Sequence, residues 1–216
     1  MSKPMHPALD RLAGDLLKLG FKKRAGLIFT LQLQVKSLGW VGINRGSHAG
    51  GPGVSALNPV CGVRHQEIEH VVADLLGQKF HAYVPPTVSE PLRYLMPKDE
   101  GREWTVTGDE IVDGRVVDDL MRSMQEFGLP YMRDRRGLID ISRALTAGEG
   151  HGHQTAFRAP VALWLLGRGP EALAHVDSTL AQVGDRDSEA AEQFRAFAAE
   201  LAGRIRSGVS PASAGP

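Results

Sequence analysis

Hydrophobic residues near the start of the chain recur at intervals of three and four. The stripe consists of Leu9, Leu12, Leu16 and Leu19, and Ala13 and Leu17 widen it. This spacing predicts an amphipathic helix, because residues three and four apart share one helical face. Pro7 suits the first turn of that helix, and Gly20 suits the left-handed position at which helices end.

The following segment changes to a period of two. Leu27, Phe29, Leu31, Leu33 and Val35 alternate with Thr30, Gln32, Gln34 and Lys36. Such alternation predicts a β-strand with one buried and one solvated face, and an antiparallel partner suits it best. Residues 38–44 supply that partner after a short connection at Ser37-Leu38-Gly39, so we expect a hairpin.

Further along, short extended stretches give way to helices. Residues 54–57 predict a strand, Asn58-Pro59 a turn, 64–77 a helix, 79–97 a proline-interrupted edge strand and 102–108 a last short strand. From Arg115 the pattern is helical, with an αα-hairpin at Gly167 and Pro170.

This order of elements predicts an α+β fold, an antiparallel sheet flanked by helices with a helical C-terminal part. We expect a sheet domain at 1–114 and a helical part at 115–206 packed on it. Residues 207–216 are small and polar, and they predict a disordered tail.

Composition narrows the possible partners and surroundings. The 216 residues carry 25 Lys and Arg against 25 Asp and Glu, so general nucleic-acid binding, which needs a basic excess, is not expected. The single cysteine, Cys61, excludes an internal disulfide and favours a reducing compartment. No apolar run reaches membrane length, and the N-terminus lacks the apolar core of a signal peptide. We therefore expect a cytoplasmic protein without membrane contact.

Two stretches carry a family resemblance. "LAGDLLKLGFKKRAGLIFTLQLQVKSLGWVGINRGSH" has a helix, a Gly-Phe-Lys-Lys step at 20–23, a strand with Gln32 and Gln34 on its polar face, and an ending at Val41 to Gly46. "SEPLRYLMPKDEGREWTV" follows with Trp104. Together they resemble a bacterial family of unknown function, DUF number four thousand three hundred and four, over the first half to two-thirds of the chain. The resemblance implies no activity, but some members look like small proteins found beside toxin genes, which implies inhibition of a partner.

The loop "RGSHAGGPG" at 45–53 is the first candidate site. Its glycines and Pro52 exclude regular structure, and it lacks the Gly-Lys-Ser/Thr ending of a phosphate-binding loop. Loops on a rigid sheet often carry binding residues, and arginine is a frequent interface anchor. Arg45 and His48 in this loop, together with His65, are therefore the predicted binding residues.

The histidines and the single cysteine are the other candidates for chemistry. His151 and His153 lie two apart in a glycine-rich stretch, and in an extended segment both imidazoles would meet one metal ion. His65 and Glu69 stand four apart, a helical spacing that also suits a shared ligand. Cys61 has His65 four residues on, but no oxyanion hole or recognised nucleophile signature accompanies it, so we expect a small buried hydrophobe. No cofactor is expected.

Two functions of different classes follow. The first is a non-catalytic module that binds a protein partner, in one form an immunity-type inhibitor. The second is a metal-assisted hydrolase or small-molecule-binding enzyme that uses His48, His65, His151 or His153. Convergence of these four histidines in one concave pocket would favour the enzyme.

Overall fold

The structure is a computed structural model that describes residues 7–47, 54–98, 102–149 and 152–209. It divides into two compact units, each built from separate stretches of chain. The first unit comprises Met1–Val63 and Ser89–Asp134, and the second comprises Arg64–Val88 and Arg135–Pro216. The chain therefore passes from one unit to the other at three points.

The first unit is built on a six-stranded antiparallel sheet. Its strands are β1 (Lys22–Lys23), β2 (Ile28–Gln34), β3 (Ser37–Ser47), β4 (Ser55–His65), β5 (Val88–Pro91) and β6 (Trp104–Val106). They follow the order β1-β2-β3-β4-β5, and β6 also pairs with β4. Of the edge strand predicted at 79–97, only Val88–Pro91 forms a strand, whereas the last short strand is confirmed as β6.

Helices are present in both units of the described chain. In the first unit they are α1 (Pro7–Lys18), α3 (Glu110–Ser123) and α4 (Leu129–Asp134), with a π-helical turn at Met124–Gly128 between the last two. In the second unit they are α2 (Gln66–Leu75), α5 (Leu138–Thr146), α6 (Gly152–Leu165), α7 (Gly169–Val183) and α8 (Glu189–Arg206). The predicted α+β class is confirmed, and residue 115, the expected start of the helical part, lies within α3.

The first helix and the hairpin follow their sequence patterns with local differences. Leu9, Leu12 and Leu16 are buried, and Gly20 has a φ of 91°. Leu17 was expected to widen the buried stripe, but it is half-exposed. The connection of the hairpin was also predicted wrongly, because Gln34 pairs with Ser37 and the turn is Val35-Lys36.

Further local predictions were wrong. The loop predicted at 45–53 was placed too early, because β3 continues through Ser47. Asn58-Pro59 lies inside β4 instead of forming a turn. The pairing of β4 with β6 ends at Leu57, so the missing N–H of Pro59 lies beyond that ladder. Gly128 does not end its helix, which continues into α4 through the π turn. The stretch around His153 is helical from Gly152 onward rather than an extended connection.

The second unit has a core of aromatic residues on its helices. Phe157 on α6 packs edge-to-face against Phe194 and Phe197 on α8, with ring centroids 5.4 and 4.9 Å away. The predicted αα-hairpin is confirmed, because Gly167 ends the first helix with a φ of 74° and Pro170 lies in the first turn of α7. Within the described ranges, no helix has both the length and the apolar character needed to cross a membrane.

Candidate functional site

The predicted binding residues are placed in different settings. Arg45, in β3 of the first unit, is exposed, and its Nη2 donates a hydrogen bond to Oγ of Ser55 at 3.3 Å. His48 lies outside the described residues. His65 is the last residue of β4, belongs to the second unit and is 4% exposed. Only Arg45 among them is a described, exposed side chain.

The predicted metal-binding pair, His151 and His153, lies largely outside the residues that the structure describes. His151 is not among the described residues, and His153 is described only as part of the backbone of α6. In the part of the chain that the structure describes, no three His, Cys, Asp or Glu side chains are grouped so that they could hold a metal.

Cys61 lies in β4 with no solvent exposure. Its Sγ is 3.6 Å from Sδ of Met124 in the π turn. Burial raises the pKa of the Cys61 thiol to about 12, so the thiol stays protonated at neutral pH. It packs in the core of the first unit, as the sequence predicted.

Three charged side chains are buried together in the second unit, and the sequence patterns indicated only one of them, Glu69, as a neighbour of His65. Arg64 comes from the end of β4, Glu69 from the first turn of α2 and Arg158 from the middle of α6, and each is at most 5% exposed. Arg158 binds Glu69 bidentately, with Nε 2.6 Å from Oε1 and Nη2 3.0 Å from Oε2. Nη1 of Arg64 lies 3.4 Å from Oε2 of the same carboxylate. We call these three residues the buried triad.

Arg64 also holds the segment between α2 and β5. Its guanidinium donates hydrogen bonds to the backbone carbonyls of His81, Ala82 and Pro85, and its carbon Cζ lies 5.3 Å from the centre of the Phe80 ring. Burial, followed by the nearby Arg158 charge, lowers the pKa of Arg64 to about 10, against the opposing effect of Glu69. Arg64 is therefore still cationic at neutral pH.

The triad borders a cavity of about 230 Å³ within the second unit, which we call the arginine cavity. Its apolar lining consists of Val72, Ala73, Leu76, Val84, Pro85 and Phe157. Gln78, Lys79 and His81 line it as exposed residues, which places them at its mouth, whereas the triad forms its buried end. Three cations and one carboxylate line the cavity, which leaves two positive charges in excess with histidine neutral.

This arrangement of charges can hold an anion. Guanidinium groups held by buried hydrogen bonds keep their charge and orientation, so they form a fixed positive surface for an anion. Fixed charges beside low-dielectric walls concentrate counter-ions at such a site. One sequence signal marks the site, because Arg158 interrupts the apolar run from Ala156 to Leu166.

Comparisons with known proteins add no relative to this picture. No family model, no curated protein and no solved structure matches the chain. The resemblance to the bacterial family of unknown function stays a prediction.

Proposed function

We propose that this protein binds a small molecule and that the arginine cavity is the binding site. The observation that carries the proposal is the buried triad, whose three charged side chains surround one end of a cavity instead of filling it. Burying charges is costly, and a pair of apolar residues often replaces a buried ion pair without loss of stability. A cavity whose lining carries more positive than negative charge supports a role in holding a ligand.

The size of the cavity supports a ligand smaller than a nucleotide. Its volume of about 230 Å³ equals that of about eight waters at roughly 30 Å³ each. The mixed lining, apolar walls with a few convergent polar groups, is the usual composition of small-molecule sites.

Native mass spectrometry of the protein purified from its own host tests this function. We expect an adduct that is released on denaturation and is identified by fragmentation. Ala73→Phe fills the cavity and should remove the adduct, whereas Ala196→Phe on the exposed side of α8 should keep it. Absence of an adduct, or an adduct that survives Ala73→Phe, would refute the proposal.

A second candidate is the protein-binding module expected from the sequence, in one form an immunity-type inhibitor. One surface of the first unit favours it. Ile111 is 71% exposed and Val112 is 45% exposed at the start of α3, and Ile111 borders a groove of about 680 Å³. Exposed aliphatic residues beside a groove are typical of a surface that takes an apolar side chain of a protein partner.

Photo-crosslinking distinguishes this second candidate. A photoreactive amino acid at Ile111 should give a discrete adduct in host cells, which Arg115→Glu at the same groove weakens. The same group at Val35, which is 95% exposed on the hairpin turn, is the control. Equal products from both positions would count against a docking surface at the groove. The hydrolase alternative with His48, His65, His151 and His153 stays a prediction.

A further inference from the structure

We infer that the ligand of the arginine cavity is a small organic acid, with its carboxylate toward the buried triad and an apolar body against the cavity walls. This inference rests on the proposed function and names the class of ligand. The inference concerns the charge of the ligand. The proposed function requires only that the cavity holds a molecule.

The charge balance of the cavity selects an anion. Glu69 is bound by both arginines, so its negative charge is already matched within the triad. The remaining guanidinium charge is buried, and Lys79 adds a cation at the mouth. A neutral ligand would leave that excess charge uncompensated in a site of low dielectric, whereas a carboxylate would balance it.

The apolar walls favour a carboxylate over inorganic phosphate. Six of the thirteen lining residues are aliphatic, proline or aromatic, and they need an apolar partner to exclude water. One guanidinium is the buried excess charge, because Lys79 at the mouth is exposed, and a single negative charge is enough to balance it. A monoanion with a branched or aromatic body of a few carbon atoms meets both requirements.

Matched acids and amides test the inference. Isothermal titration of the full chain at pH 7.5 and low salt would use 3-methylbutanoate with 3-methylbutanamide, benzoate with benzamide, and inorganic phosphate. We expect at least one acid to bind tenfold or more tightly than its amide and more tightly than phosphate. Its affinity should fall as salt rises, since Lys79 at the mouth is solvated and screened.

Two variants with a control locate the binding. Lys79→Met changes only an exposed residue at the mouth and should weaken the acid about threefold or more without altering the melting midpoint. Arg158→Met should abolish binding of the acid, and circular dichroism shows whether this variant keeps its fold. Arg168→Met, on an exposed arginine that is not part of the cavity lining, should leave the affinity unchanged.

The outcomes separate the inference from the proposed function. Equal affinity for acid and amide, or a neutral compound identified in the mass spectrum, overturns the inference and leaves the binding function standing. Phosphate binding more tightly than every acid also overturns it. If Lys79→Met keeps both its fold and its affinity for the acid, the acid does not bind at the mouth of the cavity. This result also overturns the inference. Absence of binding to every probe, together with an adduct-free native spectrum, overturns both.

Discussion

Replacing Glu69 by glutamine should be among the most destabilising single changes in the second unit. The substitution keeps the shape of the side chain and removes its charge. It removes the negative charge that two guanidinium groups, each at most 4% exposed, share in the buried triad. Removing one partner of a buried ion pair typically costs about 3–5 kcal/mol. For a chain of about 200 residues each kcal/mol lowers the melting midpoint by about 2–4 °C, so a fall of about 6–20 °C is expected.

Thermal and urea unfolding followed by circular dichroism measure this cost, and a double-mutant cycle assigns it to the pair. Arg158→Met combined with Glu69→Gln should lose less stability than the two single changes together, because the contact between Arg158 and Glu69 is lost only once in the double variant. Glu171→Gln is the matched control, since Glu171 forms an exposed pair with Arg168. Its midpoint should not move. If Glu69→Gln behaves like this control, the triad is solvated and the argument for a charged cavity fails.

Three other changes test the first unit. Gly128→Ala should lower the free energy of unfolding in urea by about 1–3 kcal/mol, because a Cβ there would lie 2.9 Å from Sγ of Cys61. The control Gly14→Ala, in α1 with open space around it, should stabilise the protein slightly, and equal effects of the two changes would contradict the close approach at Gly128. Cys61 should react with a thiol reagent at pH 8 at least about 1000-fold more slowly in the native protein than in urea, because its folded pKa is about 12 against an ordinary value of 9.0; rapid native labelling would refute its burial. Phe29→Ala should cost about 3–5 kcal/mol, whereas exposed Gln32→Ala should cost little, and similar losses would contradict the face assignment of β2.

Local periodicity was a good guide to the elements and a poor guide to where they end. The Leu9, Leu12 and Leu16 stripe was predictable because burial on one helical face requires that spacing. The end of β2 was not predictable from alternation, because Val35 continues the period of two although it lies in the turn. A solvent-facing position was also assigned to Thr30, which is 1% exposed and accepts a hydrogen bond from Nε of Arg24.

The candidate site was beyond the reach of local patterns. Arg64 and Glu69 are five residues apart, but Arg158 meets Glu69 across 89 positions, and no spacing rule encodes that contact. Histidine and glycine motifs are conspicuous in a sequence, but they do not indicate a buried salt bridge. A charged residue within an apolar helix, as at Arg158, is a better indicator, since burial of an arginine requires a partner.

Because the chain passes three times between the two units, all segments of the first unit are made before the second unit is complete. When residue 134 has been made, the first unit has all of its segments, while Arg64 and Glu69 have been made without Arg158. The 25 residues 64–88 then form a loop whose closure costs about 3 kcal/mol of chain entropy plus a constant, as estimated from its length. This closure entropy opposes assembly of the first unit. Packing of the helices of the second unit offsets it, and that packing includes the contact of Arg158 with a carboxylate made 89 residues earlier. A nascent chain that ends between residues 134 and 158 therefore holds every segment of the first unit and a Glu69 carboxylate whose bidentate partner, Arg158, has still to be made.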